Sequence, residues 1–495
     1  MDSLIKLGAV AACVLCVSFY FLSVYQYSSY YLKRTFFHFH KLRWHFLYII
    51  LPLGALALLS PKLNNHIVGL IYIVWSILWV SSWYHKLDKK PVFTNRIKRT
   101  YALIVVFALI LCGVFYVFYF AYCELAVVVL SIVCGVSVAN IWEKFIFKSF
   151  YAKAKQKLEK SSCKIILITA SYGKTSTKNY LADLLSLKYK VYAPKTSINT
   201  LNGIIKDINE NLQDCDFYIV EAGAREKNDI LDIATLVSPH YSIIGKIGNA
   251  HLEYFKSIEN TKLAKLKGLC SNRLEGYLLH SSTCFFEEFL SHEKFCELSF
   301  KDIKNIDKKY YDDDVSVIKS DLDGIDFKIC DEIFSSNLLG EFNATNLAAC
   351  IKMAVFLGVD KEKIKEKLMS LKAVSHRLER IDSGGKIILD DSFNGNIDGM
   401  SASYDICKKY HGRKIIVTPG IVEVDEETNI KLCEKINECF DLAILTSSLN
   451  ENVFKNHITI EKIFLKDKSN LVNLLATKTY AGDLIIFSND APSYV

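Results

Sequence analysis

Long apolar stretches fill the first third of the chain. Five apolar runs precede residue 142, at residues 7–25, 46–60, 67–83, 101–121 and 125–141. The first and fourth runs are long enough to cross a hydrocarbon core as helices, whereas the second is short. No clear small-residue cleavage site ends the first run and further runs follow it, so a signal peptide is disfavoured. The pattern predicts an α-helical transmembrane region of about five spans in residues 1–150.

The basic residues between these runs predict how the chain crosses a membrane. The segments after the first and third runs are rich in Lys and Arg, whereas the loop after the second run has only Lys62 and the loop after the fourth has none. Basic loops stay on the cytoplasmic side. The expected protein is therefore a multi-pass protein of the inner (cytoplasmic) membrane, in contact with membrane lipid, with everything after residue 142 in the cytoplasm. The spans carry no run of ionisable residues that would suggest an ion path, so an anchor is favoured over a transporter.

A basic segment follows the last apolar run. Residues 141–160 include EKFIFKSFYAKAKQKLEK, which combines Lys with aromatic residues at helix-compatible spacing. Two interpretations fit equally: a helix lying at the lipid headgroups, or a solvated linker helix.

Beyond residue 160 the pattern changes to alternating strands and helices. Short β-rich apolar runs at residues 163–169, 217–220 and 241–247 are separated by helical spacing. This alternation predicts a parallel, doubly wound sheet. Strand-like runs at 386–389, 414–417, 442–445 and 484–487 predict a second, smaller Rossmann-like α/β domain, and residues 296–337 resemble short strands and turns. The expected domains are a central phosphate-loop ATPase domain at 151–375 and a C-terminal domain at 376–495.

Charge and cysteine content exclude two classes of protein. Residues 1–150 hold 14 Lys/Arg against 4 Asp/Glu, although the net charge of the whole chain is only +7. The remainder is slightly acidic, which gives no support for nucleic-acid binding. The 15 cysteines are scattered. A secreted disulfide framework is therefore unexpected, and reduced thiols are predicted.

The first candidate for chemistry follows the strand at 163–169. The sequence ASYGKTSTK leads from this strand into a helix with apolar residues at Tyr180, Leu181, Leu184 and Leu185. A strand, a Gly-Lys-Thr turn and a helix form the usual phosphate-binding arrangement, in which Lys174 neutralises phosphate and the Thr175 hydroxyl reaches Mg²⁺.

Two further candidates follow the next strands. Glu221 and His251 lie where strands of a parallel sheet end, which is where ligands bind in such sheets. A carboxylate suits a hard cation, whereas histidine is a less usual ligand of magnesium. The alternatives are that Glu221 caps a helix and that His251 is an ordinary loop residue.

Six phrases in this order resemble the central and C-terminal domains of Mur ligases. The phrases are TASYGKTSTK at 169–178, NTLNG at 199–203, VEAGA at 220–224, AHLE at 250–253, LGEFNATN at 339–346 and DDSFNGN at 390–396. Together with KAVSHRL at 372–378, they look most similar to the MurF branch of the family. The resemblance covers residues 160–495.

The resemblance implies an ATP-dependent amide ligase of peptidoglycan precursor synthesis, which adds D-alanyl-D-alanine to UDP-N-acetylmuramoyl tripeptide through an acyl phosphate and uses ATP and Mg²⁺. Catalytic roles would fall to Lys174, Lys265 and His251. Mg²⁺ would be held by Thr175, Glu221, His251 and Lys265. ATP would be bound by Ser171, Tyr172, Gly173, Lys174, Thr175, Ser176, Asn343, Asn346, Arg377 and Asp391. The substrates would contact Asn199, Thr200, Asn394 and Asn396.

One of these residues, Lys265, matches the lysine that these ligases carbamylate. Lys262 and Lys267 are alternatives in a shifted register, and a solvated helix face is the plain alternative. The sequence departs from the family pattern at Ala170, where the family has Gly, and at Phe342, where it has His. Membrane spans also occupy the place of the soluble domain that grips the UDP-sugar.

Two other functions stay open. One is a ligase of the same fold that acts on another, lipid-linked carboxylate. The other is a catalytically decayed membrane scaffold that associates with other cell-wall enzymes.

Overall fold

A computed structural model describes most of the chain. The described residues are 2–28, 30–37, 42–63, 65–87, 90–117, 123–248, 255–283, 304–307, 309–393, 395–421, 426–446, 450–465 and 467–489. Their contacts separate two compact units, Met1–Phe150 and Tyr151–Val495.

The first unit is entirely helical in its described part. Its helices are α1 (Asp2–Tyr27), α2 (Leu32–Phe37), α3 (Leu42–His45), α4 (Leu51–Leu59), α5 (His66–His85), α6 (Asn95–Val117) and α7 (Glu124–Lys160), with a π-helical turn at Phe46–Ile50 and a 3₁₀ turn at Ser60–Lys62. Five helical stretches are long and apolar enough to cross a membrane: Leu4–Tyr27, Leu42–Lys62, His66–His85, Asn95–Phe115 and Glu124–Lys160. The predicted apolar helices are confirmed, and their insertion into a membrane stays a prediction.

Helix α1 lies at the centre of this unit. The most apolar part of α1 is 67% buried, whereas the corresponding parts of the other four stretches are only 17–33% buried. The outer helices instead expose large apolar side chains such as Leu58, Ile71 and Leu109. Such continuous apolar exposure is costly in water and is typical of a surface that meets lipid.

A partly buried ion pair lies inside the same unit. Glu124, which begins α7, pairs with Lys6 of α1 and accepts a hydrogen bond from the Ser60 hydroxyl at 2.7 Å. The carboxylate is therefore neutralised locally, which fits an anchor rather than an ion path.

The second unit is built on a six-stranded parallel sheet. Its strands are β1 (Lys164–Thr169), β2 (Val191–Tyr192), β3 (Phe217–Glu221), β4 (Tyr241–Ile244), β5 (Gly276–Leu279) and β6 (Lys304–Asn305), in the order β2-β3-β1-β4-β5-β6. The helices are α8 (Lys174–Leu185), α9 (Leu201–Glu210), α10 (Asp229–Val237), α11 (Ile258–Leu266), α12 (Phe342–Phe356) and α13 (Lys361–Leu368), with 3₁₀ turns at Lys267–Leu269 and Ser281–Thr283. Because β1 lies between β3 and β4, the loops that follow these three strands meet at one edge of the sheet.

The apolar face of α8 packs on this sheet. Tyr180, Leu181, Leu184 and Leu185 are buried as the sequence pattern predicts, and they share a core with α12. Burial of each large side chain contributes about 2 kcal/mol, so this face fixes the helix whose first turn follows β1.

A small antiparallel sheet is inserted between β6 and α12. It consists of β7 (Val315–Asp321), β8 (Gly324–Ile329) and β9 (Glu332–Ser336), paired in that order. The predicted short strands in this stretch are confirmed.

The C-terminal part forms a second six-stranded sheet. Its strands are β10 (Glu379–Ser383), β11 (Lys386–Asp391), β12 (Lys414–Thr418), β13 (Leu442–Leu445), β14 (Glu461–Phe464) and β15 (Leu484–Ser488), in the order β10-β11-β15-β12-β13-β14. Its helices are α14 (Ile397–Lys408), α15 (Glu426–Cys439), α16 (Glu451–His457) and α17 (Leu471–Lys478), with a 3₁₀ turn at Lys468–Asn470. All four predicted strands are present. Strand β14 and the antiparallel strand β10 were not predicted from the sequence.

The two sheets share apolar packing. Leu339 and Phe342, which flank the start of α12, pack against the core of the C-terminal sheet. The domain boundary at residues 375/376 stays a prediction.

One cysteine pair departs from the expected reduced thiols. Cys163 and Cys215 form a disulfide with a Cα–Cα distance of 5.4 Å. They stand just before β1 and β3, so the bond joins the starts of two neighbouring strands. No sequence pattern indicated this pair, because its members are 52 residues apart.

Candidate active site

The loop between β1 and α8 has the geometry of a phosphate-binding loop. Gly173 adopts φ +77°, which a side chain would strain, and a Cβ at this position would lie 2.6 Å from Oδ1 of Asn346. The backbone N–H of Ser171 donates to the Lys246 carbonyl at 2.8 Å, and the Ser171 hydroxyl accepts from Gly248 N–H at 3.0 Å. The loop is therefore fixed to the segment after β4, with the first turn of α8 directly behind it.

Two lysines converge on one carbonyl of this loop. Lys174 Nζ donates to the Ala170 carbonyl at 3.0 Å, and Lys265 Nζ of α11 donates to the same oxygen at 2.9 Å. Ala170 is the position at which the sequence departs from the family glycine, and its Cβ packs closely against Gly245. Two ammonium groups on one oxygen make this edge of the sheet strongly attractive to an anion.

Burial and neighbouring charges act on both lysines. Burial lowers the pKa of Lys174, and the neighbouring Glu221 opposes this shift. Burial lowers the pKa of Lys265 well below its ordinary value, and the charge of Lys174 lowers it further. Lys265 therefore gains access to the neutral amine form, which is the nucleophilic form of a lysine.

Glu221 lies at the centre of a hydrogen-bonded group. It is the last residue of β3 and is buried, and its two oxygens accept from Thr175 Oγ1 at 2.9 Å, Ser197 Oγ at 3.0 Å and Asn199 Nδ2 at 3.2 Å. The alternative role of a helix cap does not describe Glu221, because α10 begins after Asn228. A carboxylate beside the first-turn threonine is therefore held in a fixed orientation.

The C-terminal sheet contributes two charged side chains. Arg377 is partly buried and lies close enough to Asp391 and Glu221 for both carboxylates to oppose the lowering of its pKa by burial. Its guanidinium donates to the Phe393 carbonyl. Asp391 ends β11, is buried, and accepts from the Ser403 hydroxyl at 3.0 Å. Arg377 thus lies near both Asp391 and Glu221, and the roles of Arg377 and Asp391 in binding ATP stay predictions.

Several predicted site residues have structural hydrogen bonds. Asn343 is buried and donates to the Leu339 carbonyl at 2.7 Å, while Asn346 donates to Asn343 at 3.3 Å and packs on Gly173. Thr200 caps α9 and Asn396 caps α14 through their side-chain oxygens.

The other predicted residues are placed as follows. Tyr172 packs against Gly248, and Ser176 is buried in the first turn of α8. His251 and Asn394 lie outside the described residues.

The position of Lys265 distinguishes it from its neighbours in the sequence. Its side chain is buried and reaches the phosphate loop. Lys267 instead donates to the Lys227 carbonyl and to Asn228 Oδ1, away from the loop, and Lys262 is only partly buried. Among the three registers, geometry favours Lys265.

Two residues of the site were missed by sequence reasoning. Ser197 hydrogen-bonds Glu221, and Lys178 lies fully buried 3.9 Å from the same carboxylate. The signal for Lys178 was present, since it shares a helix face with Leu181 and Leu185 at spacings of three and seven residues. No pattern pointed to Ser197, because it lies in an irregular segment.

The oxygen atoms of Glu221 and Thr175 are of the kind that magnesium prefers as ligands. Within the described ranges no cluster of three or more His, Cys, Asp or Glu side chains could hold a metal. Mg²⁺ is typically bound by one or two carboxylates together with phosphate oxygens and waters. Glu221 and the Thr175 hydroxyl supply such a partial set beside the loop that would hold the phosphates.

The fold and the loop define a phosphate-loop α/β protein with a second α/β sheet. Residues 168–354 match the family model of the Mur ligase middle domain. The UDP-N-acetylmuramoyl-tripeptide–D-alanyl-D-alanine ligase of Borreliella burgdorferi is 30% identical over 288 residues, covering 57% of this chain and 61% of that protein. The same enzyme of Bacillus subtilis is 25% identical over 347 residues, covering 68% and 74%.

Solved structures give the same fold. The MurF ligase of Thermotoga maritima in complex with ADP superposes with a TM-score of 0.57 at 22% identity, covering 69% of this chain and 80% of that one. MurF from Acinetobacter baumannii gives 0.58 at 20% identity, covering 69% and 77%. Residues 168–354 therefore match the Mur ligase middle domain, and the chain shares the fold of the MurF structures. It spans about three fifths of the length of the Borreliella relative.

Proposed function

We propose that this protein is an ATP-dependent ligase of the MurF type, which joins D-alanyl-D-alanine to UDP-N-acetylmuramoyl tripeptide in peptidoglycan synthesis. The observation that carries the proposal is the convergence of Lys174 and Lys265 on the Ala170 carbonyl, next to the Thr175–Glu221 pair. The two lysine cations can bind the phosphates of a nucleoside triphosphate, and the neighbouring carboxylate and hydroxyl can bind its metal ion. The names of the relatives supply the substrates.

The reaction has two covalent steps. An oxygen of the tripeptide carboxylate forms a bond to the γ-phosphorus of ATP as the β–γ bond breaks, and ADP leaves with the electron pair. The amine of D-alanyl-D-alanine then bonds to the acyl carbon, inorganic phosphate leaves, and the nitrogen loses its extra proton. Charge builds up on the transferred phosphoryl group, so fixed cations lower the barrier.

The chain's own residues divide this work. The first-turn N–H groups of α8 and Lys174 hold phosphate oxygens, while Arg377 and Asp391 approach from the C-terminal sheet. Thr175 and Glu221 would hold Mg²⁺, which when bound neutralises phosphate charge. Asn343 supports the phosphate loop indirectly. It accepts a hydrogen bond from Asn346, and Asn346 packs against Gly173.

Lys265 is the group we assign to carbamylation. Its lowered pKa, caused first by burial, favours the neutral amine that reacts with carbon dioxide. Carbamylation would convert a cation beside Lys174 into an anion, which removes a repulsion and creates a further ligand for magnesium. His251 would complete this set.

The position of the protein is part of the proposal. The five apolar helices would anchor it in the inner membrane, with the ligase domains in the cytoplasm. Substrate contacts would come from Asn199 and Thr200 after β2 and from Asn394 and Asn396 after β11.

The test is phosphate release by the full-length protein in detergent. ATP, Mg²⁺ and UDP-N-acetylmuramoyl tripeptide are supplied with and without D-alanyl-D-alanine. We expect release that needs both substrates and a pentapeptide product by mass. Lys174→Ala should abolish release in a folded protein. ATP binding without any substrate-dependent release would overturn the substrate assignment.

A second candidate is a ligase that acts on a lipid-linked peptide carboxylate. The observation in its favour is the set of membrane-length helices in the first unit. It predicts that the nucleotide-linked precursor is inert and that the same assay gives product when an undecaprenyl-linked muramoyl tripeptide in mixed micelles replaces it.

A further inference from the structure

A fully buried lysine lies one helical turn after the phosphate loop, and its ammonium group donates to a different segment. Lys178, in the second turn of α8, has no exposed side-chain surface. Its Nζ donates to the Pro194 carbonyl at 2.6 Å and to the Thr196 carbonyl at 2.8 Å. A lysine ammonium has three donors, and two of them are therefore committed to one short segment.

That segment links β2 to α9, and its next residues turn toward Glu221. Ser197 Oγ donates to Glu221 Oε1 at 3.0 Å, and Asn199 Nδ2 donates to the same oxygen at 3.2 Å. The backbone of Asn199 is held in turn, because Gly223 N–H donates to its carbonyl at 2.8 Å. The segment is thus held at Pro194 and Thr196 by one side chain and at Asn199 by the backbone after β3.

The charge of Lys178 acts on the same carboxylate. Its Nζ lies 3.9 Å from Glu221 Oε2, the oxygen that accepts from Thr175. Both groups are buried, so little water screens them. A buried ammonium is costly unless it is hydrogen-bonded and paired, and here it is both.

We propose that Lys178 is a positioning residue for the metal site. It holds the 193–200 segment so that Ser197 and Asn199 orient the Glu221 carboxylate toward the first turn of α8, where a divalent cation and nucleotide phosphate bind. The inference rests on the proposed function only in taking Glu221 as a magnesium ligand. This role differs from that of Lys174, the lysine of the phosphate loop, and the sequence motifs do not indicate it.

The test measures magnesium dependence of nucleotide binding rather than turnover. Full-length protein in detergent is titrated with MgCl₂ in the presence of a fluorescent, non-hydrolysed ATP analogue, and anisotropy reports binding. Lys178→Met should raise the half-saturating Mg²⁺ concentration at least tenfold, while affinity at saturating Mg²⁺ changes less than threefold. A purely structural lysine would lower the melting temperature and leave the half-saturating Mg²⁺ concentration of the folded protein unchanged.

A matched control comes from the same domain. Lys352 of α12 is also mostly buried and pairs with Asp307 and Asp314, away from the loop. Lys352→Met should lower the melting temperature to a similar extent and leave the Mg²⁺ dependence within twofold of wild type.

A second variant tests the inference even when Lys178→Met does not fold. Ser197 is exposed, so Ser197→Ala removes one hydroxyl with little risk to folding. It should raise the half-saturating Mg²⁺ at least threefold, and the double variant should show no more than the effect of Lys178→Met alone, because both act on Glu221 through one segment.

The outcomes separate this inference from the proposed function. Unchanged Mg²⁺ dependence in Ser197→Ala, or in folded Lys178→Met, overturns the positioning role and leaves the ligase proposal standing. Magnesium-dependent binding with the expected shifts but no amide product overturns the substrates and supports the role of Lys178. A wild-type protein that binds the analogue without magnesium overturns both.

Discussion

Replacing Gly173 by alanine is a direct test of the phosphate loop. The substitution has two destabilising effects, backbone strain and a steric clash, and these can be measured separately. The φ of +77° at Gly173 lies in the left-handed region, where an alanine costs about 1–2 kcal/mol. Reduced freedom of the unfolded chain returns about 0.4–1 kcal/mol. The second cost is steric, since the new Cβ would lie 2.6 Å from Asn346 Oδ1.

The steric cost can be estimated from the contact it would break. Asn346 must move away, and it then loses its hydrogen bond to Asn343, which contributes about 1 kcal/mol. Gly173→Ala is therefore expected to cost about 2 kcal/mol in total. Gly482 is the matched control, because it has φ +90° with nothing within 4 Å of the built Cβ. Gly482→Ala should cost about 1 kcal/mol.

Thermal unfolding and nucleotide binding measure the two parts. We expect Gly173→Ala to melt about 2 °C below Gly482→Ala, the shift that about 1 kcal/mol produces in a domain of this order of size. Affinity for the ATP analogue should fall at least tenfold in Gly173→Ala and less than twofold in Gly482→Ala. Equal melting temperatures together with equal affinities in the two variants would refute the assignment of this turn as a phosphate loop.

Three further predictions concern charge and the disulfide. Burial holds the pKa of Lys265 in the folded protein below its value in the unfolded chain, which is about 10.4. At a pH below both pKa values, the buried charge of Lys265 therefore lowers the free energy of unfolding. This loss of stability becomes smaller as pH rises from the folded pKa to the unfolded pKa. The melting temperature of Lys265→Met minus that of wild type should therefore be largest at low pH and shrink toward pH 10. A Cys163→Ala/Cys215→Ala double variant should lose about 4 kcal/mol relative to the oxidised protein, as expected for a loop closed over 52 residues, and its melting should no longer respond to dithiothreitol. Arg377→Lys should lower kcat/KM for ATP at least tenfold in the phosphate-release assay, since lysine lacks the planar guanidinium that interacts with Asp391 and donates to the Phe393 carbonyl.

Local patterns were sufficient for most of the fold. The strands β1, β3 and β4 and the four main strands of the C-terminal sheet are continuous apolar runs with polar ends, so period and length identify them. Strand β10 was not predicted because most of its residues are polar and exposed, as an edge strand allows. Strand β14 is equally an edge strand, four residues long, and its burial is only partial.

The candidate site was predictable in its motif residues and not in its contacts. Lys174, Thr175 and Glu221 could be placed because each lies at or soon after the carboxyl end of a strand in a parallel sheet. The shared carbonyl of Lys174 and Lys265 could not, since Lys265 is 95 residues from Ala170 and only the packing of α11 brings it back. The same holds for the C-terminal Arg377, whose approach to Glu221 depends on how the second sheet packs on the first.

The arrangement of buried charges shows why this edge of the sheet would bind a polyanion. Lys174, Lys178 and Lys265 bring three ammonium groups to the described site, and the Glu221 carboxylate opposes the lowering of the pKa of Lys174 and of Lys178. Burial opposes the charged form of each lysine, so the site without a ligand is electrostatically costly. A nucleotide phosphate would offset that cost, and linkage then requires that nucleotide binding stabilise the folded domain.

The same reasoning separates the roles of the lysines. Lys174 and Lys265 point their ammonium groups at a carbonyl that a phosphate can replace, whereas Lys178 commits two of its three donors to carbonyls of the 193–200 segment. The first two are therefore placed for ligand chemistry and the third for holding the carboxylate that receives the metal.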